Sequence, residues 1–323
     1  MKSRADETAK HRGVIREIAR NVARVIRGKD DVIELMVACM LARGHVLIED
    51  VPGVGKTMLA KSLARSLDAQ FRRIQFTPDL LPSDVTGTTV FRAESGEFEF
   101  RPGPVFTNIL LADELNRATP RTQSSLLEAM EERQVSVDGA THALPPLFFV
   151  IATQNPIEQE GVYPLPEAQL DRFLMQVTLG YPLRSEELAI VRARLGQDPF
   201  DELEVVATTD DVLAAREEAT AVHVDETVLT YALTVVEATR QHDELLLGAS
   251  PRASLALVTA AQALAYVRGR SYVLPDDVKE LAVPVLRHRL ILQPRTLISG
   301  RKSTDILEEI LTQVPVPLRL PAE

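Results

Sequence analysis

The sequence predicts an α/β chain whose parallel sheet is covered by helices on both faces and is followed by an all-helical region. Three observations predict it. Five short apolar runs, at 46–48, 73–77, 109–112, 148–152 and 175–179, are bounded by turn residues and too short for buried helices. Helical segments at 58–67 and 120–132 alternate with them, and such alternation builds a parallel sheet buried on both sides. After Tyr181-Pro182 no strand pattern of comparable strength recurs, and helical segments dominate. A chain of 323 residues is long enough for two domains, and the change of pattern divides it into 1–183 and 184–323.

Residues 9–26 open the chain with Val14, Ile15, Ile18, Val22, Val25 and Ile26 at helical spacing, while Arg12, Arg16, Arg20 and Arg24 recur on another face. Like charges four apart weaken a helix unless something negative compensates, so this face is either solvated or set against an acidic neighbour or a nucleotide. Asp31 and Glu34 form a capping box for a second helix that ends near Gly44. Two hairpins interrupt the later alternation. One joins 89–91 to 97–100 around Glu94-Ser95-Gly96, and the other runs from Val135-Ser136-Val137 into Asp138-Gly139. In the second region Ser185, Thr208 and Asp225 open helices, Ser250-Pro251 opens one through Val267, and Pro275-Asp276-Asp277 opens the last long one. Gln293 onward reads as a tail.

The formal net charge is −10, from 36 Lys and Arg against 46 Asp and Glu, which argues against a polyanion-binding surface over the whole molecule. Residues 1–28 depart from that balance with a local +5, leaving −15 on the remainder. Cys39 is the sole cysteine, so neither an intrachain disulfide nor a thiolate metal site is expected. No signal peptide and no apolar stretch of about 18 residues is visible, and a cytoplasmic protein without a membrane span is the expectation.

Chemistry concentrates at the ends of three predicted strands. Asp50-Val51-Pro52-Gly53-Val54-Gly55-Lys56-Thr57, continuing into Met58, lies between a strand and a helix. It resembles the loop whose backbone N–H groups wrap a β-phosphate, with Lys56 on the β/γ oxygens and Thr57 on Mg²⁺. Asp50 replaces the first glycine of the strict spacing. Asn108-Ile109-Leu110-Leu111-Ala112 delivers Asp113, suited to hold Mg²⁺ through water, and Glu114, suited to orient and deprotonate an attacking water. Ile151-Ala152-Thr153-Gln154 ends in Asn155, placed to hydrogen-bond the γ-phosphate and that water. By itself Asn155-Pro156 would be an ordinary turn.

Together with Leu115-Asn116-Arg117-Ala118 and the run from Glu160-Gly161-Val162-Tyr163-Pro164 to Leu170-Asp171-Arg172-Phe173, these segments resemble the MoxR family of AAA+ ATPases over residues 20–290. The resemblance implies an AAA+ P-loop fold with a five-stranded parallel sheet and a helical lid. It implies ATP and Mg²⁺ as ligands, and an acidic residue at the place of Asp50. Arg172 matches an arginine finger reaching a neighbouring subunit's γ-phosphate, against the plainer reading of a salt bridge to Asp171 or another acid. Arg117 and Arg121 are weaker candidates for that finger. Arg252 matches the second sensor arginine; near a helix start it is unfavourable to the dipole unless an anion is held there. Both hairpins match inserts of the branch that includes magnesium chelatase ATPase subunits. Members form rings, usually hexamers, and MoxR relatives remodel or mature partners, often proteins with a von Willebrand factor type A domain.

The leading reading is therefore an ATP-hydrolysing ring that remodels or activates a protein partner. The alternatives are a magnesium-chelatase-like subunit for metal insertion and a nucleotide-dependent assembly switch that does not turn over. Intact Glu114 and Asn155 weigh against the switch. A DNA translocase ranks third, against the acidic charge and the lack of Trp or an appended zinc or winged-helix motif.

Overall fold

The computed structural model describes residues 4–94, 96–155, 161–196 and 198–317; the side chains of 4–9 and 194 are not described. Ser95 of the first hairpin turn, Pro156, Glu160 and the last six residues of the C-terminal segment lie outside the described residues. In chain order the elements are α1 (Arg4–Val25), α2 (Asp30–Leu41), β1 (Val46–Glu49), α3 (Lys56–Ser66), β2 (Phe71–Gln75), α4 (Pro82–Thr86), β3 (Gly87–Arg92) and β4 (Glu97–Pro102). Then come β5 (Ile109–Asp113), α5 (Pro120–Glu132), β6 (Gln134–Val137), β7 (Ala140–Ala143), β8 (Phe149–Gln154), α6 (Glu167–Leu170) and β9 (Met175–Val177). The helical part holds α7 (Arg184–Leu195), α8 (Thr209–Thr220), α9 (Glu226–Gln241), β10 (Leu245–Leu247), α10 (Pro251–Val267), α11 (Pro275–Leu286), β11 (Ile291–Leu292), α12 (Pro294–Ile298) and α13 (Ser303–Gln313).

Five strands form one parallel sheet in the order β2-β5-β8-β1-β9, as the alternating pattern predicts. Successive side chains point to opposite faces of a strand. Val46, Ile48, Ile109, Leu111, Phe149, Ile151, Met175 and Val177 accordingly enter one core with α1, α2 and α3, while Leu47, Ile74, Leu110, Ala112, Val150 and Ala152 enter another with α4 and α5. The pairing sets Glu49 beside Gln154 and Ala112 beside Ala152, so β1, β5 and β8 finish at one edge of the sheet. Ligands of open α/β sheets bind in the crevice at such carboxyl ends.

Both hairpins form. In the second, Asp138 and Gly139 have φ of +50° and +81°, the left-handed pair that a two-residue turn between twisted strands requires. Phe100 of the first hairpin stacks on His142 of the second with centroids 3.8 Å apart.

Several expectations are corrected. The second strand runs from Phe71 to Gln75 rather than 73–77, because its register is set by pairing with Ile109–Asp113. The fourth strand extends to Gln154, and the fifth ends at Val177. Asp31 and Glu34 make no capping box: α2 starts at Asp30 with Lys29 as an N-cap lacking a side-chain bond, and Glu34 instead accepts from Arg268 at 2.7 Å. The C-terminal half is not wholly helical, since β10 pairs with β11. Gln293 onward is not a loose tail, because α13 buries Ile306, Leu307 and Ile310. The arginine face of α1 divides. Arg20 pairs with Glu17 on the surface, whereas Arg12 and Arg16 donate to the Gly269 and Val267 carbonyls at the end of α10, where a helix leaves carbonyls unpaired.

The core on the α1 side of the sheet continues without a break into α8, α9, α10, α11 and α13. Ile33, Met36, Val37 and Met40 of α2 belong to it, and buried Arg216 of α8 donates to the Met40 carbonyl at 3.0 Å. Asp50 supplies a second tie. Its carboxylate accepts the Val51 N–H at 2.8 Å and the Gly180 N–H at 2.6 Å, pinning the end of β1 to the segment leaving β9. Asp50 is not among the positive-φ residues, so its place does not need glycine.

A chain ending at Pro182 is expected to expose the apolar sides of α1 and α2 and to bind a hydrophobic dye; cooperative unfolding of a soluble 1–182 fragment in urea would count against the shared core. Asp50→Gly should strand two part-buried N–H groups and cost about 1 kcal/mol or more. An unchanged denaturation midpoint would refute that role.

Candidate functional site

The loop from Asp50 to Thr57 turns on Gly53 and Gly55, whose φ values of +87° and +96° suit residues without Cβ. Gly55 is the N-cap of α3 and makes no side-chain cap, so the first N–H groups of α3 have no partner within their helix. Such a terminus attracts anions. Here it opens on a cavity of 420 Å³ that brings together Pro52, Gly53, Gly55, Lys56, Thr57 and Met58 with Asp113, Glu114 and Asn155. These are the residues the sequence singles out from three separate strands. Asp50 and Val51 are not in its lining, and Val54 lines a neighbouring cavity. Lys56 Nζ donates to the Asp50 carbonyl at 2.7 Å. Burial pulls its pKa down, opposed by the charges of Asp50, Asp113 and Glu114.

Thr153 of β8 holds the two acids. Its hydroxyl donates to Asp113 Oδ1 at 2.6 Å and accepts the Glu114 N–H at 2.9 Å. Arg73 of β2 donates through Nε and Nη2 to Asp113 Oδ2 at 3.1 and 2.7 Å. Glu114 Oε2 receives Gln75 Nε2 at 2.7 Å and Arg117 Nη1 at 2.9 Å. Glu114 also has φ +56°, a conformation that costs a non-glycine residue about 1–2 kcal/mol and directs its side chain off the strand line. Arg73, Gln75 and Thr153 are functional neighbours that sequence reasoning missed. Arg73 and Gln75 sit two apart on one strand face, a weak signal that becomes informative only once Gln75 is known to pair with Asp113.

Thr57 and Asp113 offer hard oxygen donors to the same cavity. Among the described residues no group of three or more His, Cys, Asp or Glu could hold a metal. That donor set fits Mg²⁺, which takes one or two protein ligands and completes its shell with phosphate and water.

A second cavity of 410 Å³ adjoins the loop through Gly53, Gly55 and Met58. Val25, Ile26, Val54, Ile190 and Val191 give it apolar walls, and Lys29 Nζ ties its rim by donating to the Tyr181 carbonyl at 3.0 Å. Its walls come from three distant stretches of chain, so no local motif announces it.

Arg172 and Arg252 lie elsewhere. They line a third cavity, of 280 Å³, with Glu131, Asp171 and Arg289. Arg172 does not pair with Asp171. Its Nε is 3.0 Å from Glu131 Oε2, and Arg252 Nη1 is 3.2 Å from Glu131 Oε1, while Asp171 is bound by Arg289 at 2.5 Å. Within one chain neither arginine lines the Lys56 cavity.

Comparison with known proteins agrees with this architecture. Residues 45–175 match the family model described as the ATPase family associated with various cellular activities, and residues 237–310 match an AAA lid domain. The chain is 51% identical to the uncharacterized protein YeaC of Bacillus subtilis, covering 93% of each. It is 46% identical to the chaperone MoxR1 of Mycobacterium tuberculosis, over 92% of this chain and 80% of that one. A crystal structure from Cytophaga hutchinsonii, assigned as an ATPase, superposes with a TM-score of 0.91 at 40% identity over 98% of both chains. A phosphate-type loop, paired strand-end acids, a helical lid and full-length likeness to a MoxR chaperone converge: the chain belongs to the MoxR family of AAA+ ATPases.

Proposed function

We propose that this ATPase completes its hydrolytic site between adjacent subunits of a homo-oligomeric ring, a hexamer in keeping with the family resemblance, and uses turnover to remodel or activate a protein partner. One observation carries the reading. The groups suited to bind and hydrolyse ATP share one cavity, while the two arginines suited to the developing charge sit in another. In the ring we propose, a neighbour brings them together.

In this scheme the N–H groups at the start of α3 and Lys56 receive the β- and γ-phosphates, and the apolar slot beside Met58 takes the base. Thr57 and Asp113 hold Mg²⁺, which when bound neutralises phosphate charge. Glu114 orients and deprotonates the attacking water, and Asn155 hydrogen-bonds the γ-phosphate and that water. Thr153 keeps the two acids in register. Arg172 and Arg252 act on the γ-phosphate of the adjacent subunit, a placement that fits their common cavity. The nucleotide-binding part comprises 1–183 and the lid 184–323, joined through the common core. We further propose a partner with a von Willebrand factor type A domain and a cytoplasmic setting, the latter on the single buried cysteine, Cys39.

Lys56→Ala should weaken ATP affinity. Glu114→Gln should retain ATP and lose about 10²–10⁴-fold in turnover, since only the proton transfer is removed. Parent-level hydrolysis by Glu114→Gln would rule out Glu114 as the base. Arg172→Ala should bind ATP normally and lose about 10³-fold in kcat. Mixed with Lys56→Ala under subunit exchange, it should regain part of the activity, because one subunit lends the loop and the other the finger. A mixture as inactive as its components would refute action across the interface. Capture by a Glu114→Gln trap tests the partner: recovery of proteins without such a domain, independent of ATP, would overturn that assignment.

A further inference from the structure

We propose that Glu131 is a positioning residue that holds Arg172 and Arg252 together as an internal stand-in for the phosphoryl group they act on, so that engaging a neighbour's nucleotide means displacing a carboxylate. This deepens the shared-site reading and rests on it.

The carboxylate bridges the two arginines. Each carboxylate oxygen of Glu131 faces a different arginine, Oε2 to Arg172 at 3.0 Å and Oε1 to Arg252 at 3.2 Å. A phosphoryl group presents oxygens of the same kind, and guanidinium groups bind both. Helix electrostatics point the same way. Glu131 is the penultimate residue of α5, where the helix end is already negative, and Arg252 is the second residue of α10, where it is already positive. Each charge is misplaced on its own helix and is compensated by the other.

Glu128 and Glu132 line a neighbouring cavity with Arg172, but the ion pairs of Arg172 and Arg252 are both to Glu131. Asp171, adjacent in sequence to Arg172, is occupied by buried Arg289, which also donates to the Phe173 carbonyl at 2.8 Å. Arg43 on the cavity rim pairs with Glu217 of α8. Glu131 thus offsets half the charge of two cations that would otherwise repel each other. The clamp remains exchangeable, because the side chains of Arg172, Arg252 and Glu131 keep 29%, 51% and 35% of their accessible surface. Exposed pairs of this type are weak, and a terminal phosphoryl group, with up to two negative charges spread over three oxygens, outcompetes a single carboxylate for two guanidinium groups. The arginines are therefore pre-spaced but withheld, and the clamp raises the concentration at which subunits become active.

The test uses the full chain and measures ATPase activity per subunit against protein concentration at saturating ATP and Mg²⁺. Glu131→Gln and Glu131→Ala, both compatible with a half-exposed helix position, should lower the half-maximal concentration by about three- to tenfold, as expected for releasing two exposed ion pairs that tax the competent state. The plateau should change by less than the midpoint does. In an Arg252→Ala background the shift from Glu131→Gln should shrink. A fall in the plateau with no movement of the midpoint, or no change in either, overturns the clamp. Should Arg172→Ala keep parent activity, the shared-site reading fails with it; loss of activity in Arg172→Ala beside an unmoved midpoint for both Glu131 variants refutes the clamp alone.

Discussion

Parallel pairing sets Glu49 beside Gln154 and Ala112 beside Ala152, so whatever follows those residues must emerge at one end of the sheet. Loop, acids and Asn155 are spread over residues 50–155 and have no local reason to meet. Backbone hydrogen bonding brings them together, and burial on both faces prevents the slip that would separate them: moving a strand by one residue turns its apolar set to the wrong side. The site is thus assembled by the least specific bonds in the molecule and then refined by a few specific ones. Thr153 bridges the two acids, and Arg73 and Gln75 brace them from the edge strand.

Charge is handled differently in the two halves of the machinery. Around Lys56 the acids are partly enclosed, and each oxygen of Asp113 already has a donor. Around Arg172 the ion pairs are half open and cheap to exchange. A partly enclosed, preorganised pocket beside an adaptable rim is the distribution expected where binding is internal and completion comes from outside.

The strand-end motifs were legible because apolar runs, turn residues and chemistry-bearing side chains are all local. Five strands, both hairpins and the residues brought into the Lys56 cavity followed from such runs. Legibility failed where tertiary pairing overrides local preference. The second strand starts at Phe71, ahead of its most apolar stretch, because β5 sets its register. Glu34 looks like a capping acid but bonds Arg268, more than 230 residues away. The segment after Gln293 looks polar and short until Ile306, Leu307 and Ile310 find a core to enter. Glu131 carried no motif at all. Its part in the third cavity is visible only once the end of α5 faces the start of α10.

The attachment of α1 has a bearing on how the chain is made. His11 and Arg12 meet Glu218 and Tyr266, and Arg16 meets the Val267 carbonyl, so this helix is held in part by residues synthesised more than 200 positions later. At a translation rate of about 5–20 residues per second, some 10 to 50 s separate its emergence from that of its partners. During that interval Ile15, Ile18 and Val22 have only part of their eventual cover. Long-range closure of this kind is slow and prone to aggregation. Until those partners emerge, the nascent chain carries an apolar helix face whose cover is incomplete.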